Sequence, residues 1–190
     1  MKKIVDLPKI LGALASVLML VSCGNDIKEV QDFLADRNLP VGVAKNLNLV
    51  HTDSGRVKTR LITPLLNDYS NRKAQPYQDF PKGIKLVTYN VLGDSISLVA
   101  DYARSYIKTG ISEVDGNVVV ENYKDNTKLF TDQLFWDQTT HYIYTEKPFR
   151  LITKTDTIHG KGFESNEDLT KVTMKNISGN IYVNETSNND

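Results

Sequence analysis

Few side chains in this 190-residue chain are of types that do chemistry, and their spacing limits what they could do. His51, His141 and His159 are the only histidines. None has an acidic or histidine neighbour at metal-ligand spacing, so no metal site is expected. Asp132 and Asp137 flank Trp136 and could form the carboxylate pair of a glycosidase. Aspartates beside hairpin turns are common punctuation, however, and no catalytic pair is expected. Glu164-Ser165-Asn166-Glu167-Asp168 is acidic enough for calcium but lacks the register of a calcium loop. Ser165 with Asp168 reads as a local cap or turn. No Ser/His/Asp order, phosphate loop or CxxC is present, and Gly160-x-Gly162 alone makes no nucleotide motif. Neither a catalytic residue nor a cofactor is expected, and the chain is expected not to be an enzyme.

The remaining chemical group is the single cysteine, Cys23. Lys2, Lys3 and Lys9 make a basic start, softened by Asp6, and an apolar run extends from Ile10 to Val21. That run suits a secretory leader and is short for a membrane span, which needs about 20 apolar residues. It ends in Leu20-Val21-Ser22-Cys23, which resembles the lipobox of bacterial lipoproteins. The expectation is a leader over residues 1–22, cleaved to leave a lipid-modified Cys23. A buried N-terminal helix would leave Lys2 and Lys3 unexplained; a short uncleaved anchor is the third option.

The elements that would position any site lie downstream. The chain has 23 basic and 23 acidic side chains, and loss of the leader's three lysines and one aspartate leaves it slightly acidic. This is no nucleic-acid footprint. With no cysteine pair, the fold must stand on apolar burial and backbone hydrogen bonds. Asp26–Arg37 is the one convincing helix: Ile27, Val30, Phe33 and Leu34 share a face, Asp26 can cap the start and Pro40 blocks continuation. It reads as a spacer helix docking on the domain, with a membrane-proximal helix as the alternative. Residues 23–44 are therefore taken as a linker, 45–184 as the domain and 185–190 as a polar tail.

From Leu47 onward short strands succeed one another: Leu47–His51, Val57–Thr63, Ile84–Val91, Ser95–Tyr102, Asn117–Asn122, Lys128–Trp136, Thr140–Thr145, Phe149–Lys154, Lys171–Lys175 and Asn180–Asn184. Turn residues such as Gly93-Asp94 and Asp125-Asn126 separate many of them, and Tyr69–Pro81 reads as a loop. Alternation pairs Ile84 with Leu86, Ile96 with Leu98, Val118 with Val120 and Leu134 with Trp136 on one apolar face, opposite Lys85, Ser97 and Glu121. One dry and one wet face mark antiparallel sheet, although a one-residue slip would exchange them. Leu61-Ile62-Thr63, Leu98-Val99-Ala100 and Leu129-Phe130-Thr131 echo one another, and Arg150-Leu151-Ile152-Thr153 repeats Arg60-Leu61-Ile62-Thr63 outright. A stack of similar hairpins would produce such echoes while leaving its first and last strands as unpaired edges.

FPKGIKLVTYN (Phe80–Asn90), GNVVVENYKDNTKLFTDQLFWDQ (Gly116–Gln138) and above all HGKGFESNEDLTKVTMKNISGNI (His159–Ile181) resemble the LptC family, the periplasmic component of lipopolysaccharide export. The better-known members begin with a transmembrane helix rather than a lipoprotein leader. The resemblance implies an all-β fold, an open, twisted antiparallel β-jelly-roll whose halves enclose an apolar groove. It also implies that the protein accepts lipopolysaccharide from an inner-membrane ABC transporter (LptB-, LptF- and LptG-like subunits) and passes it to an LptA-like bridge protein. The expected location is the periplasmic face of the inner membrane, held by the lipid anchor, with the outer membrane as alternative. Exposing an acyl chain costs about 0.8 kcal/mol per CH₂, so a carrier needs a continuous dry trough. Its candidate lining is Ile84, Leu86, Ile96, Leu98, Val118, Val120, Leu129, Leu134, Trp136, Ile143, Leu151 and Ile158. Leu47 and Leu49 mark the candidate edge toward the transporter, and Ile181 and Val183 the candidate edge toward the next bridge, each able to accept a strand. A surface lipoprotein binding glycan or host is the alternative, using Tyr89, Tyr142 and Tyr144.

Overall fold

A computed structural model describes residues 27–178 of the chain. The expected leader, Cys23, the cap Asp26, the expected strand Asn180–Asn184 with Ile181 and Val183, and the polar tail lie outside the described residues. A helix, α1 (Ile27–Asp36), precedes eleven strands: β1 (Gly42–Asp53), β2 (Arg56–Tyr69), β3 (Tyr77–Phe80), β4 (Ile84–Tyr89), β5 (Ser95–Ala100), β6 (Tyr102–Tyr106), β7 (Ile111–Asn122), β8 (Thr127–Asp137), β9 (Tyr142–Ile152), β10 (Thr157–Asn166) and β11 (Val172–Met174). All pairings are antiparallel and all belong to one sheet.

Pairing shows that β3 and β4 are two parts of one long strand. Both run antiparallel to β2, β3 against Asn67–Tyr69 and β4 against Thr59–Ile62. Likewise β5 and β6 lie against the two ends of β7. The sheet is therefore a meander of long strands, each pairing only with its sequence neighbours. β1 and β11 do not pair with each other, so the sheet stays open.

A crease crosses these strands near their middles. The pairing is interrupted between Ile62 and Asn67 on β2, between Phe80 and Ile84, at Asp101, between Asp115 and Val118, between Thr131 and Phe135, and between Lys161 and Phe163. Irregular residues bend a strand and raise its twist, and here they fold the sheet upon itself. Buried hydroxyls hold the crease. Thr63 Oγ1 donates to the Gly83 carbonyl at 2.8 Å, and Thr131 Oγ1 donates to that of Pro148 at 2.9 Å. Gly83 sits at φ +86°, where a Cβ would lie 2.9 Å from the Ala100 carbonyl oxygen, so glycine is required. The two halves meet in a single core containing Leu98, Val118, Leu129 and Leu151 from one half and Phe80, Val114, Leu134, Ile143 and Phe163 from the other.

Three differences from the sequence reading have physical causes. β1 begins at Gly42 rather than Leu47, because it tracks β2 along its whole length. Tyr77–Phe80, inside the expected loop, is a strand that ties β2 to β6 although prolines flank it. The glycine-bearing stretch before Lys171 is the strand β10; its Gly160 leaves room for the Phe149 ring, which a Cβ would meet at 2.7 Å.

Candidate functional site

The first half-sheet carries one cross-strand row of aliphatic side chains. Leu49 opposes Leu61, Leu61 opposes Leu86, Leu86 opposes Leu98, and Leu98 opposes Val120. The row continues through Leu129 and Leu151 to Ile158. Eight positions on eight successive strands fall in register, spanning about 34 Å at roughly 4.8 Å per strand. Alternation produces the row locally: outward neighbours such as Val99 and Ile62 are exposed.

Burial along this row is graded. Leu129 is 0 % exposed and Leu98 8 %; Leu86 and Leu61 are half-buried; Leu49 is 52 % exposed. The halves are thus packed together over β7–β10 and parted over β2–β5. The parting makes a trough. One part, a narrow space of about 30 Å³, is lined by Leu86, Ile96, Leu98 and Val120 below and Trp136 and Ile143 above, with Thr88 and Glu167 also on its lining. A second, of about 270 Å³, shares Leu86, Leu98 and Trp136 and extends to Leu61, Ile84 and Phe80. Beyond Thr88 and Ile96 the trough opens onto a polar rim that includes Asn90, Asp94 and Lys124. Asp94 is ion-paired with Lys124 at 3.0 Å; hydrogen bonds from Asn90 and Lys124 hold its carboxyl below the usual range.

All twelve sequence-predicted trough residues lie in the core cluster or pack against it. Ile84, Leu86, Ile96, Leu98, Val120, Trp136 and Ile143 line open space. Leu129, Leu134, Leu151 and Ile158 are packed solid, and Val118 sits at the crease end of the same packing. Sequence reading missed Leu61 and Phe80 and also Leu169, in the β10–β11 turn. Leu169, at φ +60°, is buried in the core, while Asn122 Nδ2 donates to the neighbouring Asp168 carbonyl at 2.8 Å. This turn crosses from one half-sheet to the other and closes the trough over the packed end. A leucine in a polar turn carries no periodic signal that could have announced it.

The edges differ. β1 pairs only with β2, so the outer backbone of a twelve-residue strand is unpaired within the described chain. Leu47 is half-buried and Leu49 exposed on it. At the other margin β10 is covered by β11, then by Lys175 and Ser178, whose amides donate to Gly162 and His159 at 2.8 and 2.7 Å.

α1 touches the domain with its polar side. Asn71 and Arg72 donate to the Gln31 and Ala35 carbonyls, and Lys73 pairs with Asp32 at 3.3 Å. Its apolar face is not docked: Ile27 is 72 % and Phe33 55 % exposed.

The other chemical candidates do not converge. His51, His141 and His159 are exposed, and among the described residues no three His, Cys, Asp or Glu side chains gather as a metal site would require. Asp132 lies at the crease, whereas Asp137 lies at the far end of β8, accepting the Thr139 and Thr140 amides. Ser165 is fully buried; Asn166 and Asp168 organise the turn, accepting the Thr170 amide at 3.0 and 3.1 Å.

With this geometry in place, residues 10–182 match the family model described as LptC, lipopolysaccharide-assembly, LptC-related, and the chain belongs to that family. No curated protein matches.

Proposed function

We propose that this LptC-family protein is a membrane-anchored bridge that takes lipopolysaccharide acyl chains into the trough and hands them to the next β-jelly-roll. Family membership carries the general role, lipopolysaccharide transport at the periplasmic side of the inner membrane in association with the export system. The graded aliphatic row is the observation that supports the finer reading. Its parted end, over β2–β5, offers dry surface to an arriving chain. Each buried CH₂ contributes about 0.8 kcal/mol, so a long chain gains on the order of 10 kcal/mol there. No bond need be made or broken.

The unpaired edge of β1 is where a strand from the transporter's periplasmic part would add, with Leu47 and Leu49 beside the joint. The corresponding edge toward an LptA-like bridge would be carried by Ile181 and Val183. Anchoring is assigned to a lipid on Cys23. The bilayer surface is then four residues from Ile27, and the exposed face of α1 (Ile27, Val30 and Phe33) lies on the membrane.

The test is site-specific photocrosslinking in cells. Probes at Leu86 and Leu98 should capture lipopolysaccharide, and a probe at Val99, between Leu98 and Ala100 but facing outward, should not. Capture from Val99 alone, or only of soluble glycan, would reject the trough. The second result would favour a glycan-binding lipoprotein, for which exposed Tyr142 and the Phe135–Tyr144 stack at 5.3 Å are the candidate surface.

A further inference from the structure

The trough has two unlike walls over its parted end. Facing the aliphatic row, the second half-sheet carries another in-register row, Gln78–Ser105–Ser112–Trp136. Gln138 joins it from the β8–β9 turn. Its amide donates to Ser112 at 2.8 Å and to Ser105 at 3.4 Å, and the two serine hydroxyls are 3.0 Å apart. These groups share the 270 Å³ space with Leu61, Leu86 and Leu98.

Their hydrogen bonds do not use up their capacity. Two serine hydroxyls carry two protons, and only one is engaged between them, whichever serine donates. The other has no acceptor among the described residues. Among the described residues the Gln78 amide and the Gln138 carbonyl likewise make no hydrogen bond. Arg104 also lines this space, but its guanidinium is paired with Asp79 at 3.2 Å and lies over the Tyr77 ring at 4.6 Å. The row itself is therefore a neutral set with both donors and acceptors spare. An ionised headgroup would find no counter-charge in this row. An unbroken hydrocarbon chain would leave the set facing CH₂ groups. The complementary ligand is an acyl chain bearing a neutral hydrogen-bonding group a few carbons from its root.

We infer that the Gln78–Ser105–Ser112–Gln138 row is a specificity subsite for hydroxylated acyl chains, selecting them over plain ones. This presupposes the trough proposed above and adds to it a preference that a merely greasy channel would not have.

Trp136 is the only tryptophan in the chain and lines the trough beside the row, so its emission reports occupancy. The full chain is titrated with N-methyl-3-hydroxydecanamide and with N-methyldecanamide, which differ by one hydroxyl. The hydroxylated probe should bind roughly tenfold more tightly, the order of one well-made hydrogen bond. Ser105→Ala/Ser112→Ala should bring the two probes together while plain-chain binding persists. Gln78→Leu, which leaves the serine pair intact, should narrow the gap and serves if the double variant fails to fold. Equal binding of both probes to the unaltered protein overturns the subsite and leaves the trough standing. No response to either probe overturns the trough and the subsite together.

Discussion

Thr63→Val tests whether buried hydroxyls hold the crease. Thr63 is 1 % exposed, and its hydroxyl donates to the Gly83 carbonyl at 2.8 Å while accepting the Leu65 amide at 3.3 Å. Valine has nearly the same shape, so no cavity opens. The change leaves a buried carbonyl without its partner, which costs about 1–3 kcal/mol. Taking about 2 kcal/mol and a urea slope of roughly 2 kcal/mol per M, the unfolding midpoint should fall by about 1 M. The Tm should fall by about 4–8 °C for a chain of this size. Thr131→Val should behave alike. The two threonines are four strands apart, about 19 Å, so their effects should add in the double variant. Thr173→Val, on an exposed face of β11, is the control and should stay within about 0.5 kcal/mol of the parent. Urea titration monitored by circular dichroism measures all four. If Thr63→Val moves the midpoint no more than Thr173→Val does, the crease is held by packing alone and the hydroxyl account is wrong.

Gly83→Ala should destabilise by more than about 1 kcal/mol, because a Cβ meets the Ala100 carbonyl at 2.9 Å and the backbone is left-handed there; the same titration measures it. Leu169→Ala should cost about 2–5 kcal/mol as a buried truncation and open the packed end of the trough, seen as faster amide exchange in β8–β10. No change in exchange there would mean that the turn does not close it. The Asp137 carboxyl is held below the usual 3.8 by hydrogen bonds from the Thr140 side chain and the Thr139 and Thr140 amides. Its folded pKa is thus lower than its unfolded one. The stability it contributes is present above about pH 4 and is lost as the pH falls through the folded value. NMR titration should place its midpoint below that of the unfolded chain, and Asp137→Asn should flatten the acid limb of the stability curve. An Asp137 midpoint at or above the unfolded value would contradict this.

How far the molecule was legible in its sequence depends on where the pattern changes. Away from the crease, strict alternation marked Leu86, Leu98, Val120 and Leu129 as inward, and their registers make one row. Near the crease the parity slips: Leu61 and Thr63 point inward, then Leu66 rather than Leu65 packs on the core. The echoes Leu61-Ile62-Thr63, Leu98-Val99-Ala100 and Leu129-Phe130-Thr131 each end at the crease, so they are structurally equivalent. Arg150-Leu151-Ile152-Thr153, the outright repeat, is not. It runs away from the crease, and Thr153 falls in the β9–β10 turn, where it accepts the Asp156 amide. β10 was hidden because Gly160 and Gly162 look like breakers, although both are there to admit neighbouring side chains. Ser105, Ser112 and Gln138 come together only through pairing of β6, β7 and β8, a juxtaposition that no local pattern encodes.

Because every strand of the meander pairs only with the strands before and after it in the chain, assembly needs no distant partner. Contacts of short sequence separation form early and at low entropic cost. Hairpins can therefore zip in order, from the amino end, as the polypeptide emerges from a translocation pore. β11, the last of the described strands, can then pair only once β10 is in place, so a chain stopped short of it leaves the β10 edge bare.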